Sequence, residues 1–255
     1  MISDFFLAFL LAIIQGLTEF LPISSSAHLL LPSLLFGAKD FGIVFDISVH
    51  AGTLAAVIYY FKKEILGLLH AWMPWSSNRN KENFSLGLHL IVATLPIVLV
   101  GLLASDLSES RTANINSIAW ANLVFAAFLF VAYKSSSQSK SLAELTLFAA
   151  LIIGCFQALA VFPGASRSGM AITGALIIGL NIKDTSRFAF LLSIPTILGA
   201  LILMLAKGAF SIASSDMLIM LTGFIGSAFV AFFTCLLYTS PSPRDVEESR
   251  MPSSA

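Results

Sequence analysis

Charge is the scarcest ingredient of this sequence: Asp, Glu, Lys and Arg together supply 11% of 255 residues, against about a quarter in a soluble domain. An ordinary soluble domain is thereby excluded. Fourteen basic residues balance fourteen acidic ones, so there is no basic surface to neutralise a phosphate backbone and no acidic tail, and no nucleic-acid partner is expected. Cysteine is nearly absent. Cys155 and Cys235 lie far apart inside apolar stretches, which excludes a disulfide scaffold and a thiolate metal site; both are expected to pack in the core. No Lys or Arg precedes Lys39, so the basic start of a secretory signal peptide is lacking as well. What remains is apolar: 57% hydrophobic residues, 22 phenylalanines and a mean hydropathy of +0.91. The phenylalanines are expected to face lipid or fill the core of an all-α polytopic membrane protein.

About 20 apolar residues cross a hydrocarbon core as a helix, and a charge at mid-bilayer is expensive. Residues 83–105, 112–133, 188–206 and 217–237 qualify as spans, and 47–61, extended back through Asp46, makes a fifth. Two other apolar regions are interrupted. Residues 5–36 are broken by Glu19, Pro22 and Ser24 to Ser26, and residues 145–180 by Pro163-Gly164 and Ser166-Arg167-Ser168-Gly169. A charge beside a Pro/Gly/Ser break is tolerated at membrane depth only where the backbone is buried in protein or lines a wet cavity. Both regions therefore read as re-entrant hairpins. With neither hairpin crossing, Lys62, Lys63, Arg79, Lys81, Lys134, Lys140, Lys183 and Arg187 share one side, and Lys39, Arg111 and Lys207 the other. The positive-inside rule sends the first group to the cytoplasm and the N-terminus outside.

The two broken regions resemble each other. Gln15, Leu17 and Phe20 match Gln157, Leu159 and Phe162, and after a one-residue slip Pro22 and Ser24 to Ser26 face Pro163 and Ala165-Ser166-Arg167. Polar turns at Phe45-Asp46 and Arg187-Phe188 are expected to open the next spans. Three spans separate the hairpins, so the second enters from the opposite face, as in an inverted repeat with a site near the midplane. The expected halves are residues 1–140, with the hairpin and three spans, and residues 141–237, with the hairpin and two spans. A sixth span is expected and missing. From Tyr238 the composition changes to Ser, Pro and charge, and residues 238–255 read as a non-native disordered tail.

The breaks carry the chemistry. Gln15 and Glu19, four apart, share a helix face, and Ser24, Ser25 and Ser26 stand at the next helix start, where free N–H groups and the dipole favour an anion. His28 follows Ser25 by three. Carboxylate, hydroxyl and imidazole around an anion-binding turn are the parts needed for phosphoryl transfer. Arg167 is the only cation between residues 145 and 182. Its planar fork suits phosphate, and the hydroxyls of Ser166 and Ser168 with the turn at Gly164 and Gly169 complete an oxyanion cradle. If the breaks meet, Glu19 and Arg167 neutralise each other. Blander readings stand beside these: Gln15 with Glu19 as a structural polar pair, His28 as a packed histidine, and Asp46 with His50 as a helix cap rather than cavity groups.

Gln15-x-x-x-Glu19, then Pro22-x-Ser24-Ser25-x-x-His28, and the run Pro163-Gly164-x-Ser166-Arg167-Ser168-Gly169 resemble the two signatures of the undecaprenyl-diphosphate phosphatases, the membrane family also known as bacitracin-resistance proteins. Phe45-Asp46 to His50-x-Gly52 fits too. The resemblance implies hydrolysis of undecaprenyl diphosphate to the lipid carrier of cell-wall synthesis, in the bacterial inner membrane, with a divalent cation (Mg2+ or Ca2+) and a site open to the periplasmic side. It implies that Glu19 holds the metal, with Gln15 beside it, or activates the nucleophile. Ser25 is then the nucleophile, or orients phosphate for direct attack by water. Arg167 binds the diphosphate, His28 protonates or orients the leaving oxygen, and Ser24, Ser26, Gly164, Ser166, Ser168 and Gly169 hold phosphate oxygens. The expected partners are the polyprenyl diphosphate and membrane lipids, and a homodimer is compatible with this reading. Two rivals compete: a lipid-phosphate transporter or flippase using the same anion site, and a histidine-nucleophile acid phosphatase. The second lacks the Lys-containing motif and distal His-x-x-x-Asp of that type.

Overall fold

The computed structural model describes residues 2–73, 80–103, 114–206 and 217–239. These form ten α-helices: α1 (Ile2–Thr18), α2 (Ser25–Phe36), α3 (Ile43–Tyr60), α4 (Lys62–Trp72), α5 (Lys81–Leu103), α6 (Ile115–Ser135), α7 (Leu147–Ala158), α8 (Arg167–Ile178), α9 (Ile182–Ala206) and α10 (Met217–Thr239). Five of them, α3, α5, α6, α9 and α10, are long and apolar enough to cross a membrane, as the charge-free runs require. Their ends differ from the expected ones. Helix α3 starts after Gly42, so Phe45 and Asp46 lie within its first turns rather than in a turn before it. Helix α10 continues to Thr239, two residues into the expected tail: Tyr60 and Thr239 share a hydroxyl hydrogen bond, and the Tyr238 ring lies 6.4 Å from that of Phe190. Arg79, Arg111, Lys207 and residues 240–255 lie outside the described residues. The cysteines divide: Cys235 is buried, but Cys155 sits on the outer face of α7 and is not core packing.

Helix α4 was not anticipated by the span count. Eleven residues with Lys62, Lys63 and Glu64 in the first turn are too short and too polar to cross. Glu64 instead ties the end of α3 to the start of α9 through Arg187 at 3.0 Å.

The two broken regions are hairpins whose ends meet. Lys39, after α2, pairs with Asp4 of α1 at 3.3 Å. Lys140, before α7, donates its backbone N–H to Gly179 and accepts from Asn181, closing the ends of the second pair at 3.0 and 2.9 Å. The hairpins point in opposite directions, because the first leads into the start of α3 while the second leads into the start of α9, which lies beside the end of α3. Each break is capped from the sequence. Ser24 Oγ accepts from Ala27 N and Ser166 Oγ from Gly169 N, at 3.4 and 3.1 Å. Gly164 takes φ +95°, and a Cβ there would press on the Ile118 carbonyl of α6, so no other residue fits that turn. The tips touch: Ser168 Oγ donates to the Leu21 carbonyl at 2.6 Å.

Inward of the tips, Phe20, Phe61 and Phe190 are each 4% exposed. The Phe190 ring lies 5.1 Å from Phe20 and 6.1 Å from Phe61. They fill the space between the hairpin tips and the end of the bundle where α3 finishes.

Lipid offers helices no hydrophobic reason to associate, so close backbone approach and interhelical hydrogen bonds must hold them together. Helix α10 seats between α1 and α3 in this way. Ser227 Oγ donates to the Val49 carbonyl at 2.9 Å, Thr234 Oγ1 to the Gly16 carbonyl at 3.1 Å, and Ser48 Oγ to the Met220 carbonyl at 2.7 Å. A Cβ at Gly52 would collide with the Phe224 carbonyl and the Ser227 hydroxyl. Gly52→Val is therefore expected to destabilise the bundle by about 1–3 kcal/mol or more, read as a lower thermal midpoint in detergent, and an unchanged midpoint would contradict the seating of α10.

Candidate active site

Glu19 stands one residue beyond α1, its backbone N–H still bonded to the Gln15 carbonyl at 3.0 Å, and its side chain is 5% exposed. A carboxylate so buried must have its charge and lone pairs met. Three donors meet them, with a histidine ring alongside. Oε1 accepts from Arg167 Nη2 at 2.5 Å. Oε2 accepts from Ser25 Oγ at 2.7 Å and from Gln15 Nε2 at 2.8 Å, and His50 Nε2 lies 3.5 Å away. Arg167, the first residue of α8, also donates Nη1 to the Ser193 carbonyl of α9 at 3.2 Å. One carboxylate thus joins both hairpin tips to α3, and through Arg167 to α9.

Beside this cluster is a cavity of about 380 Å3. Its polar wall carries Glu19, Ser25, Asp46, His50, Ser166 and Arg167, with Ser24 and Ser26 alongside. The N-termini of α2 and α8 both begin at this wall, so two sets of free backbone N–H groups and two positive helix ends face one volume. Together with the guanidinium, this arrangement can hold an oxyanion. The opposite wall is apolar and comes from α5 and α9.

The structure brings Glu19, Ser24, Ser25, Ser26, Ser166 and Arg167 to the cavity, as their motifs suggested. Others it places elsewhere. His28 does not line the cavity; its Nδ1 sits 2.6 Å from the Ser24 carbonyl, one helical turn back. Gly164 backs onto α6, the Gly169 N–H is used by the Ser166 cap, and Ser168 Oγ holds the Leu21 carbonyl. These three shape the second turn rather than face the cavity. Gln15 lies fully buried behind Glu19, and its Oε1 has no hydrogen-bond partner. The imidazole at the site is that of His50. Its Nδ1 faces the Asp46 carbonyl at 2.7 Å. A carbonyl only accepts, so Nδ1 carries the hydrogen and Nε2 is turned toward Glu19. The i, i+4 pair at the head of α3 was the sequence signal for this. The apolar wall had none, since residues of α5 and α9 that line it look like any others in a span.

Mg2+ and Ca2+ take six or more oxygens, part of which water and substrate phosphates supply, and the residues present do not build a cage from the protein alone. Three donors, Arg167 among them, occupy the Glu19 oxygens, Gln15 Oε1 is one spare neutral oxygen, and no group of three His, Cys, Asp or Glu side chains converges among the described residues.

A bundle of membrane-spanning helices in which two hairpin tips assemble a buried carboxylate, hydroxyl and guanidinium beside paired helix N-termini defines a multi-pass membrane protein with an internal oxyanion site. The sequence matches the family described as "Bacitracin resistance protein BacA" over residues 8–240, and the chain belongs to that family. It is 50% identical over 194 residues to the undecaprenyl-diphosphatase of Saccharophagus degradans, an alignment covering 76% of this chain and 73% of that protein. It is 43% identical over 236 residues to the undecaprenyl-diphosphatase of Alcanivorax borkumensis, covering 92% and 89%. A third, from Teredinibacter turnerae, is 48% identical over 188 residues, covering 73% and 71%.

Removing one partner of a buried ion pair strands the other charge, at about 3–5 kcal/mol. Glu19→Gln and Arg167→Gln are each expected to lower stability by that order, whereas the double change should cost clearly less than the sum of the two. A thermal-unfolding double-mutant cycle checks this; additive losses would show that the pair is not coupled.

Proposed function

We propose that this chain is an integral membrane phosphatase that hydrolyses undecaprenyl diphosphate to undecaprenyl phosphate and inorganic phosphate. The relatives' activity supports this, and one observation in the site carries it: Ser25 Oγ donates to Glu19 Oε2 at 2.7 Å beside an arginine and two helix N-termini. A protein that only carried a lipid phosphate would need the cradle, but not a hydroxyl aimed at a buried base.

In the proposed reaction the terminal phosphoryl group enters the polar end of the cavity, its oxygens held by Arg167, Ser26, Ser166 and the N–H groups opening α2 and α8. Glu19 takes the Ser25 proton as Oγ attacks phosphorus. The bond to the bridging oxygen breaks, and undecaprenyl phosphate leaves with that bond's electron pair. Water then attacks phosphorus, the P–Oγ bond breaks with its electron pair on Ser25 Oγ, which takes back the proton held by Glu19, and phosphate departs as H2PO4− with the oxygen and both protons of the water. Arg167 stabilises charge on the transferred group in both steps, shifting its hydrogen bonds from Glu19 toward phosphate as Glu19 accepts the proton. A divalent cation, Mg2+ or Ca2+, is proposed to arrive on the diphosphate rather than to reside in the protein, which suits a donor set without a cage. The hairpins with their following spans are proposed to be inverted repeats about the midplane. The placement proposed is the bacterial inner membrane with the cavity open to the periplasm. Lys62, Lys63, Lys140, Lys183 and Arg187 cluster toward the end of the bundle where α3 finishes, and the cavity's apolar wall comes from the last turns of α5 and α9, toward the other end.

The test is phosphate release from a long-chain isoprenyl diphosphate by detergent-purified protein. Ser25→Ala is expected to lower kcat by about 10²–10⁴ and Arg167→Ala by about 10²–10³ or more. Release undiminished in Ser25→Ala would remove the serine as nucleophile, and no release from folded wild-type protein would overturn the phosphatase reading.

A further inference from the structure

Eleven of the described glycines lie inside α-helices, and at nine of them an added Cβ would meet another atom within 4 Å. The close approach of a neighbour accounts for those nine. Gly101 of α5 and Gly199 of α9 are the exceptions: a Cβ at either would enter open space. Neither has the positive φ that demands glycine, and glycine is among the poorest residues for a helix interior. Packing, backbone geometry and helix propensity therefore all leave these two glycines unexplained. Both line the cavity that holds Glu19 and Arg167, and both stand on its apolar wall.

We propose that Gly101 and Gly199 are specificity-determining residues that keep a slot open for the first isoprene units next to the diphosphate. The proposal rests on the phosphatase reading for the identity of the headgroup and deepens it by locating the tail. The same cavity runs from the anion site to Val98, Gly101 and Leu102 of α5 and Gly199, Ala200 and Met204 of α9. Leu102 is 62% exposed, so the cavity reaches the surface of the bundle near the end of α5, and the proposed slot would pass its chain out between these helices. Its size limits what it holds. A cavity of about 380 Å3 is at the small end of ligand pockets, enough for a headgroup and the start of a chain, so most of a long polyprenyl tail stays in the bilayer. Each wall helix also carries a proline one turn or so earlier, Pro96 in α5 and Pro195 in α9. Each removes a backbone bond to the residue four before it and loosens the helix where the slot begins.

Binding of two probes to detergent-purified full-length protein tests this without relying on turnover: a fifteen-carbon isoprenyl diphosphate and inorganic diphosphate. Gly101→Leu and Gly199→Leu are each expected to raise Kd for the isoprenyl probe about tenfold or more, with Kd for inorganic diphosphate changed less than about twofold. Gly101→Ala and Gly199→Ala put a smaller group in the same space and should raise only the isoprenyl Kd, by about two- to fivefold, with a thermal midpoint equal to or above wild type. They decide the matter if a leucine variant fails to fold. Unchanged isoprenyl binding in folded variants, or equal losses for both probes in the alanine variants, would overturn the proposal. Wild-type protein that binds both probes but releases no phosphate would sink the phosphatase reading and leave the slot standing.

Discussion

The Glu19–Arg167 pair is the constraint around which the molecule is arranged. Either charge alone at this depth would be prohibitive, and each is supplied by a helix that stops short of crossing. Two hairpins entering from opposite ends must therefore reach the same depth, because the pair exists only where their tips meet. The other features follow. Pro22 and Gly164 lie in the turns that follow the inbound helices, Ser24 and Ser166 cap the outbound ones, and the caps leave two helix N-termini facing one cavity. A site selected for phosphate is also the arrangement that makes the ion pair tolerable, since an entering phosphate can replace the carboxylate as the partner of Arg167.

That exchange gives the serine its setting. In the resting site Glu19 is held by Arg167, Ser25 and Gln15 at once. In the proposed reaction a phosphoryl group draws Arg167 away, and the carboxylate keeps its two neutral donors and is left free to take the Ser25 proton. Substrate binding and activation of the base are then one event. His50, its ring oriented by the Asp46 carbonyl, borders the same oxygen and completes the wall from α3.

Most of the architecture was legible because hydrocarbon leaves few choices. Charge-free runs gave five spans within a few residues, and charges beside Pro, Gly and Ser located both breaks. Contact between the breaks followed from the need to neutralise Glu19 and Arg167. Spacing along a helix was a weaker guide to side-chain direction. His28, three residues after Ser25, turns back to the Ser24 carbonyl, while His50, far away in sequence, reaches the site because α3 packs beside the first hairpin. Ser168 and Gly169 look interchangeable with Ser166 in the motif, but only Ser166, the cap of α8, lines the cavity, while all three bond within the turn or to the other hairpin tip. Helix α4 escaped notice because an eleven-residue amphipathic segment carries no span signal. The apolar wall is invisible in sequence for the opposite reason: in a chain this hydrophobic, a lining residue and a lipid-facing one are the same kind of residue.

The aromatic fill of Phe20, Phe61 and Phe190 lies directly inward of the Glu19 carboxylate, against the ends of α3 and α10. It contributes no polar group and no path for water. In the proposed reaction, what enters the cavity leaves by the side from which it came, the phosphate set free included. The proposed reaction then moves no charge across the membrane and is electrically silent: it neither draws on the membrane potential nor adds to it.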